Sequence, residues 1–378
     1  MSILSGRARW AVPAVVTATV AAVIGTAVLS AEAAPPLPVR SAGELLVGLQ
    51  QAAGTPLSGT VVETAALGLP ALPNVGGHGT TDLTSLVSGS HTLRVWVDGP
   101  ERARLALLGT LGESDVIHNG RDLWMWNSDK NVASHYALPA GRQDAGSGPP
   151  TAVLPSSLPS ALPTALPSTP QQAADAVLKL IGPSTTVTTS GTATIAGRPA
   201  YELVLAPKDH RSLVGEVRLA VDAEKSVPLR VQVIPRGSTA PAFEVGFTQI
   251  SFARPSAAQF RFTPPPGATV TQEQLGGTAG TPGATRHAAP DSSAATDPTA
   301  RTVGSGWTAV VIGTLPTGTE SGNGGDTLTA LLRDLPTVPG HPGTRMLAGT
   351  LFTAVIDGDT IAVGAVPADL ALAAMSRR

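Results

Sequence analysis

Between residues 91 and 138 the chain alternates apolar and polar positions in short runs, at 91 to 97 (HTLRVWV), 102 to 108 (RARLALL), 114 to 118, 121 to 126 and 132 to 138. A period of two predicts strands. Asp98-Gly99-Pro100, residues 109 to 112 and Asn119-Gly120 separate the runs. Connections this short join antiparallel neighbours, so a meander is expected. Asn119-Gly120 suits a two-residue hairpin turn, after which Trp124 and Trp126 share one face of the next strand. Further strand-like runs follow at 185 to 195, 199 to 206, 213 to 222, 228 to 234, 242 to 252 and 259 to 263, and Pro264-Pro265-Pro266-Gly267 closes the domain.

Helical spacing appears at two places. Ser41-Ala42-Gly43-Glu44 spells a capping box, followed by Leu45, Leu46, Leu49 and Ala53, with Gly54 as a stop and a strand in LSGTVVE beyond it. Residues 65 to 90 read as a Gly/Pro/Thr-rich loop. Thr169-Pro170-Gln171-Gln172 opens a second helix with proline at its first position and an expected apolar face of Ala173, Ala176, Val177, Leu180 and Ile181. Between these, residues 139 to 169 carry Pro155, Pro159, Pro163 and Pro167, one proline every fourth residue. Each would remove a helical hydrogen bond, which predicts an extended, polyproline-like insert.

Residues 271 to 305 are Gly, Ala, Thr, Pro and Ser with almost no large apolar side chain, the composition of a flexible linker. A small unit over 306 to 378 is expected to hold a strand at 306 to 314, a helix near 326 to 335, a hairpin at 347 to 366 turning at Asp357-Gly358, and a terminal helix. The fold class expected is α+β.

Composition narrows the function. The chain has 378 residues, 42% hydrophobic and 14% charged, enough for one large domain and a smaller one, while 41 glycines and 34 prolines call for linker. A net charge of −2 without clustered Lys and Arg argues against a nucleic-acid partner. Residues 1 to 34 carry Arg7 and Arg9, then an uncharged stretch from Trp10 to Ala31 with Pro13 and Gly25 inside it, and Ala31-Glu32-Ala33 as a small-x-small cleavage site. This is a signal peptide or a membrane anchor, and either places the body outside the cytoplasm. With no cysteine, such a fold holds by burial alone.

Catalysis is not expected. The seven histidines, at 78, 91, 118, 135, 210, 287 and 341, show no metal-ligand spacing, and no nucleophile elbow, phosphate loop or dinucleotide fingerprint occurs. Asp357-Gly358-Asp359 lacks the further acidic ligands of a calcium loop and reads as a hairpin turn. No metal and no cofactor are expected.

The stretch DVIHNGRDLWMWNSDKNVASHYAL, with AYELVLAPKD, VGEVRLAVDAEKSVPLRVQVI, FEVGFTQISF and AAQFRFTPPPGATV in that order, resembles the LolA-like superfamily: the lipoprotein carriers LolA and LolB and the amino-terminal domain of the sigma-E regulators RseB and MucB. The resemblance covers residues 41 to 270. The tail IAVGAVPADLALAAM is similar to the end of the RseB and MucB carboxy-terminal domain.

This resemblance implies a strongly curved antiparallel sheet, an incomplete barrel, covered by helices around an apolar cavity for acyl chains. Alternation then nominates Leu93, Val95, Val97, Leu105, Leu107, Trp124, Trp126, Tyr201, Leu203, Leu205, Val231, Val233, Phe243, Val245 and Phe247 as cavity or sheet-lining positions. It does not say which face is concave. LolA has an arginine before proline at the turn that here reads Asp98-Gly99-Pro100, where it helps fasten the helical lid; the matching position is Gly99, so that role is not carried over.

The expected function is an extracytoplasmic, non-catalytic binding protein holding lipid or the acyl chains of a lipid-modified protein, with an ABC transporter as a possible membrane partner. The alternative is a two-domain envelope sensor that acts on an anti-sigma factor or another membrane protein. A purely structural surface protein is the third reading.

Overall fold

The computed structural model describes residues 37–69, 83–138, 170–274, 300–314 and 335–377. The leader, the proline-rich insert, most of the expected linker and the helix expected near 326 to 335 lie outside the described residues.

Helix α1 (Ala42–Gln51) starts as its sequence dictates: the Ser41 hydroxyl accepts from the Glu44 amide, and the Glu44 carboxylate accepts from the Ser41 amide at 2.7 Å. Helix α2 (Pro170–Ile181) packs against it, with Gln171, Asp175 and Leu178 around Gly43. Its buried face departs from the expected one at Val177 and Leu180. Ala174 is buried and Leu178 and Ile181 are half-buried, whereas Val177 and Leu180 are exposed. The neighbouring α1 selects one edge of a broad apolar stripe, which helical spacing alone does not resolve.

Twelve strands form one open sheet: β1 (Leu57–Ala65), β2 (Gly89–Val97), β3 (Arg102–Leu108), β4 (Glu113–Asn119), β5 (Asp122–Asn127), β6 (Val132–Ala137), β7 (Thr185–Ile195), β8 (Arg198–Pro207), β9 (Val214–Asp222), β10 (Pro228–Pro235), β11 (Phe243–Ser251) and β12 (Thr269–Gln274). Their order is β12-β6-β5-β4-β3-β2-β1-β11-β10-β9-β8-β7. All neighbours are antiparallel except β12, which pairs parallel to β6. The sheet is strongly curved. β7 and β11 stand four places apart, roughly 19 Å if the sheet were flat, yet they come within 8 Å of each other. Ile195, Ala200, Ala220 and Leu229 form a buried cluster there, against which Phe247 and Ile250 of β11 pack.

The hairpin between β4 and β5 is shifted by one residue from expectation. Asn119 pairs with Asp122, so Gly120, at φ 63°, and Arg121 form the turn. The run at 259 to 263 is no strand. Residues 254 to 266 instead form a strap: a 3₁₀ turn (Ala257–Phe260) packs on β3 and β4, Arg254 bonds Asp98 at 2.7 Å, and Phe262 lies 5.3 Å from Trp124 and 5.8 Å from Trp126. The strap carries the chain from β11 to the far edge, across seven strand spacings, roughly 34 Å in a flat sheet, and there opens the parallel strand β12. Parallel pairing requires such a crossover. The expected linker therefore begins later than residue 271, since Thr269 to Gln274 are in the sheet.

A second sheet of five strands has the order β13-β14-β17-β16-β15: β13 (Arg301–Val303), β14 (Val310–Thr314), β15 (Arg345–Ala348), β16 (Thr353–Asp357) and β17 (Thr360–Gly364). Helix α3 (Ala368–Ser376) packs on it through Ala371 and Ala374, with Val310, Ile312, Val355, Ala362 and Val366 as the buried core. Asp357 pairs with Thr360, which makes the Asp357-Gly358-Asp359 segment a hairpin turn. This unit is tied to the large sheet by Leu213 N–H to Ala365 O (2.8 Å), Thr350 N–H to Leu67 O (2.7 Å) and Trp307 Nε1 to Thr185 Oγ1 (2.8 Å).

Phe260, 1% exposed, is the anchor of the strap. Its replacement by alanine is expected to lower stability by about 3–5 kcal/mol. In limited proteolysis, cleavage within residues 254 to 266 should then precede cleavage elsewhere.

Candidate functional site

Cross-strand register sorts the nominated positions without ambiguity. Leu107 faces Leu93 and Leu105 faces Val95; Leu93 faces Val61, Val61 faces Phe247 and Ala65 faces Phe243. Val245 faces Val231 and Phe243 faces Val233; Val231 and Val233 face Leu219 and Val217, which in turn face Leu203 and Leu205, while Tyr201 faces Val221. Val97, two residues beyond Val95, shares its face. Thirteen of the fifteen nominated side chains thus lie on one continuous apolar face over seven adjacent strands, β3 to β8 in sheet order.

The two tryptophans are a correction. Trp124 faces Ile117, Ile117 faces Arg104 and Arg104 faces Trp96, whereas Leu105 faces Val116 and Val116 faces Met125. Trp124 and Trp126 are therefore on the opposite side from the thirteen, and no single hollow is lined by both sets. Their surroundings explain their size: Trp124 stacks on His135 with centroids 4.2 Å apart, and Phe262 of the strap covers both rings.

Over the remaining strands that opposite side carries polar pairs beside the buried Ala200 and Ala220. Arg230 bonds Glu202 at 2.9 Å, Gln232 bonds Glu244 at 2.7 Å and Arg104 bonds Asp115 at 2.8 Å. Arg94 and Arg104 also lie over the Trp96 ring. The apolar side carries instead the segment entering α1: Arg40 lies over the Tyr201 ring, and its carbonyl accepts from Thr189, which shares the face of Leu203. Further on, Gly48 abuts Ser226 at the β9–β10 turn. Gly54 O accepts from the Gly99 amide at 3.1 Å, where a side chain on Gly54 would stand 3.3 Å from the Gly99 backbone. Gly99 itself has φ 81°. A backbone contact between two glycines thus holds the end of the helix at the β2–β3 turn.

Of the thirteen, Leu93, Leu107, Tyr201 and Leu203 are buried, and Val95, Val97, Leu105, Leu205, Val231, Val233, Phe243, Val245 and Phe247 remain partly exposed. Chemically the face offers apolar contact and little else. The exception is Glu63, missed by sequence reasoning. It sits on this face between His91 and Val245, 4% exposed, and neither carboxyl oxygen has a hydrogen-bond partner. Its position in the alternation of LSGTVVETA, where Leu57, Val61 and Ala65 face inward, was the available signal.

Similar solved structures exist. The chain is similar to MucB. A crystal structure of MucB in complex with MucA(peri) aligns over 88% of this chain and 97% of that one, at 16% identity and a TM-score of 0.44. MucB from the MucA/MucB complex of Pseudomonas aeruginosa covers 88% of this chain and 96% of its own, at 15% identity and 0.43. A LolA superfamily protein from Nitrosomonas europaea covers 59% of this chain and 99% of its own, at 11% identity and 0.22. No protein-family model and no curated protein matches the chain. Among the described residues, no helix is long and apolar enough to cross a membrane, and no group of three or more His, Asp or Glu side chains stands ready to hold a metal ion.

Burial pushes the Glu63 carboxyl above its usual range, opposed only in part by His91. A raised value means that the folded chain holds this proton more tightly than the unfolded chain. The stabilisation is complete below the unfolded carboxylate range and is lost as pH rises through the folded value. Glu63→Gln is therefore expected to have a higher Tm than the natural chain at pH 7.5, with the gap closing toward pH 4, as measured by thermal unfolding across pH.

Proposed function

We propose that this chain is an extracytoplasmic, non-catalytic binding protein that holds the acyl chains of a lipid or lipid-modified protein against the apolar face of its large sheet. One observation carries the reading: the continuous apolar face over seven strands, on which nine nominated side chains stay partly exposed. An apolar face that its covering helices leave partly open suits the binding of an apolar ligand. Each methylene transferred onto it from water gains about 0.8 kcal/mol, so even one long chain supplies useful affinity without any polar anchor. The leader at residues 1 to 34 supports placement outside the cytoplasm.

A second reading is favoured by the hydrogen bonds that tie the five-stranded unit to the large sheet at Ala365, Thr350 and Trp307. Carriage alone needs only the large sheet. A tied second unit suits a sensor in which cargo alters how the protein holds a membrane partner such as an anti-sigma factor, the assembly suggested by the resemblance to RseB and MucB. In this reading the acyl-binding face is the input.

Mass spectrometry of the protein purified without detergent is expected to find a co-purifying acyl-chain lipid. Val231→Glu, on the apolar face, should abolish that cargo at small cost in Tm, because Val231 is only half-buried. Thr92→Glu, at an exposed position on the other face, should retain it. A lipid-free natural protein, or equal loss in both variants, contradicts the reading.

A further inference from the structure

The centre of the apolar face is Val61, Leu93 and Leu107, with Leu86 laid over them from the 3₁₀ turn Leu83–Val87. That turn packs on β1 and β2. Two polar groups beneath and within it are unmatched. Glu63, two residues along β1 from Val61, is 4% exposed and has both carboxyl oxygens unpartnered; Ser85, in the turn, is 0% exposed with its hydroxyl unpartnered. Among the described residues, no element packed against Glu63 completes it. His91 of β2 faces it directly but turns its Nε2 to the Ser88 carbonyl at 2.9 Å. On β11 the facing residue is Val245, and Glu244 is on the other side of the sheet, bound to Gln232. The turn LTSLV carries no ionisable group.

Buried polar groups in folded chains are almost always hydrogen-bonded, and an orphan marks a place where something outside the chain completes the set. Ser85 lies in the 3₁₀ turn and Glu63 on β1, one of the two strands on which that turn packs. An acceptor carboxyl and a hydroxyl that can donate or accept together complement another hydroxyl, which donates once and accepts in return.

We propose that Glu63 and Ser85 form the polar recognition point of the acyl-binding face, taking a hydroxyl carried by the apolar ligand. This rests on the acyl-chain reading given above and adds the ligand class: a long alkyl or acyl chain bearing a free hydroxyl, as in a monoacylglycerol, in preference to a bare hydrocarbon. Local rules of folding are broken at Glu63 in favour of binding, the pattern expected at functional positions.

The test uses the full chain and two fluorescent probes, pyrene-labelled dodecanol and pyrene-labelled dodecane, titrated into the natural protein, Glu63→Leu and Ser85→Ala. The alcohol-to-alkane affinity ratio is expected to fall at least about tenfold in Glu63→Leu, the change that one lost hydrogen bond of about 1.4 kcal/mol produces. It should fall less in Ser85→Ala, and the alkane affinity should be unchanged in both. Ser85→Ala, which removes only an oxygen, carries the test if Glu63→Leu does not fold. A ratio unchanged in the variants while both probes bind overturns this inference alone, and a buried water is then what meets the two groups. Binding of neither probe overturns the acyl-chain reading and this inference with it.

Discussion

The structure depends on the phase of one alternation. From β3 through β2, β1, β11, β10 and β9 to β8, the strands send most of their Val, Leu and Phe side chains to one side and most of their Arg, Glu and Gln to the other, with Glu63, Val62 and Val204 among the exceptions. A slip of one residue in any strand would exchange the two sets. It would set the Glu202–Arg230 and Gln232–Glu244 pairs among valines and phenylalanines, at the cost of burying charge without compensation. Both faces therefore vote for the same register, and the apolar face can remain partly open without losing its definition.

Rigidity is supplied from outside that face. The strap over 254 to 266 crosses the opposite side, pinned by Phe260, by Arg254 on buried Asp98 and by Phe262 on two tryptophans. At the other end, buried Asp222 accepts from Arg198, whose guanidinium also reaches Glu224 at 3.2 Å and lies over Phe252. Although burial of Asp222 works against ionisation more strongly than any single partner works for it, Arg198 and the amides of Lys225 and Glu224 together hold its carboxyl below the usual range. On the apolar side α1 is held by its fully buried Leu45, by the Arg40–Tyr201 cation–π contact, by Thr189 on the Arg40 carbonyl, by the Gly54–Gly99 backbone pair and by the packing of α2.

Much of this was legible in the residues. The capping box at Ser41, eleven of the strands, the Asp357-Gly358 hairpin and the terminal helix follow from local patterns that need no tertiary information. The face of Trp124 and Trp126 did not follow, for a countable reason. The turn between β2 and β3 has three unpaired residues, 99 to 101, which preserves odd and even positions, and the loop between β3 and β4 has four, 109 to 112, which exchanges them. The count lies in the turns, marked in the sequence at 98 to 100, 109 to 112 and 119 to 120, and alternation within each strand does not carry it. The strap reads as a strand because Phe260 and Phe262 alternate, although Phe260 is buried in a 3₁₀ turn packed on β3 and β4 and Phe262 meets two tryptophan rings. β12 was hidden by the opposite cause: Thr, Gln and Glu suffice at an exposed sheet edge that buries nothing. Glu63 was passed over because a carboxylate in a strand is ordinarily read as solvent-facing.

The central claim is that acyl chains meet the face bearing Val231, Val245 and Phe247 and not the face bearing Trp124 and Trp126. Photocrosslinking with a fatty-acyl probe carrying a diazirine at the chain terminus, followed by peptide mapping, tests it most directly. The account predicts adducts on β1, β2, β10 and β11 at positions of the apolar face, such as Val95, Val231, Val245 and Phe247. Adducts concentrated on Trp124, Trp126 and the strap, or spread evenly over both faces, would contradict it.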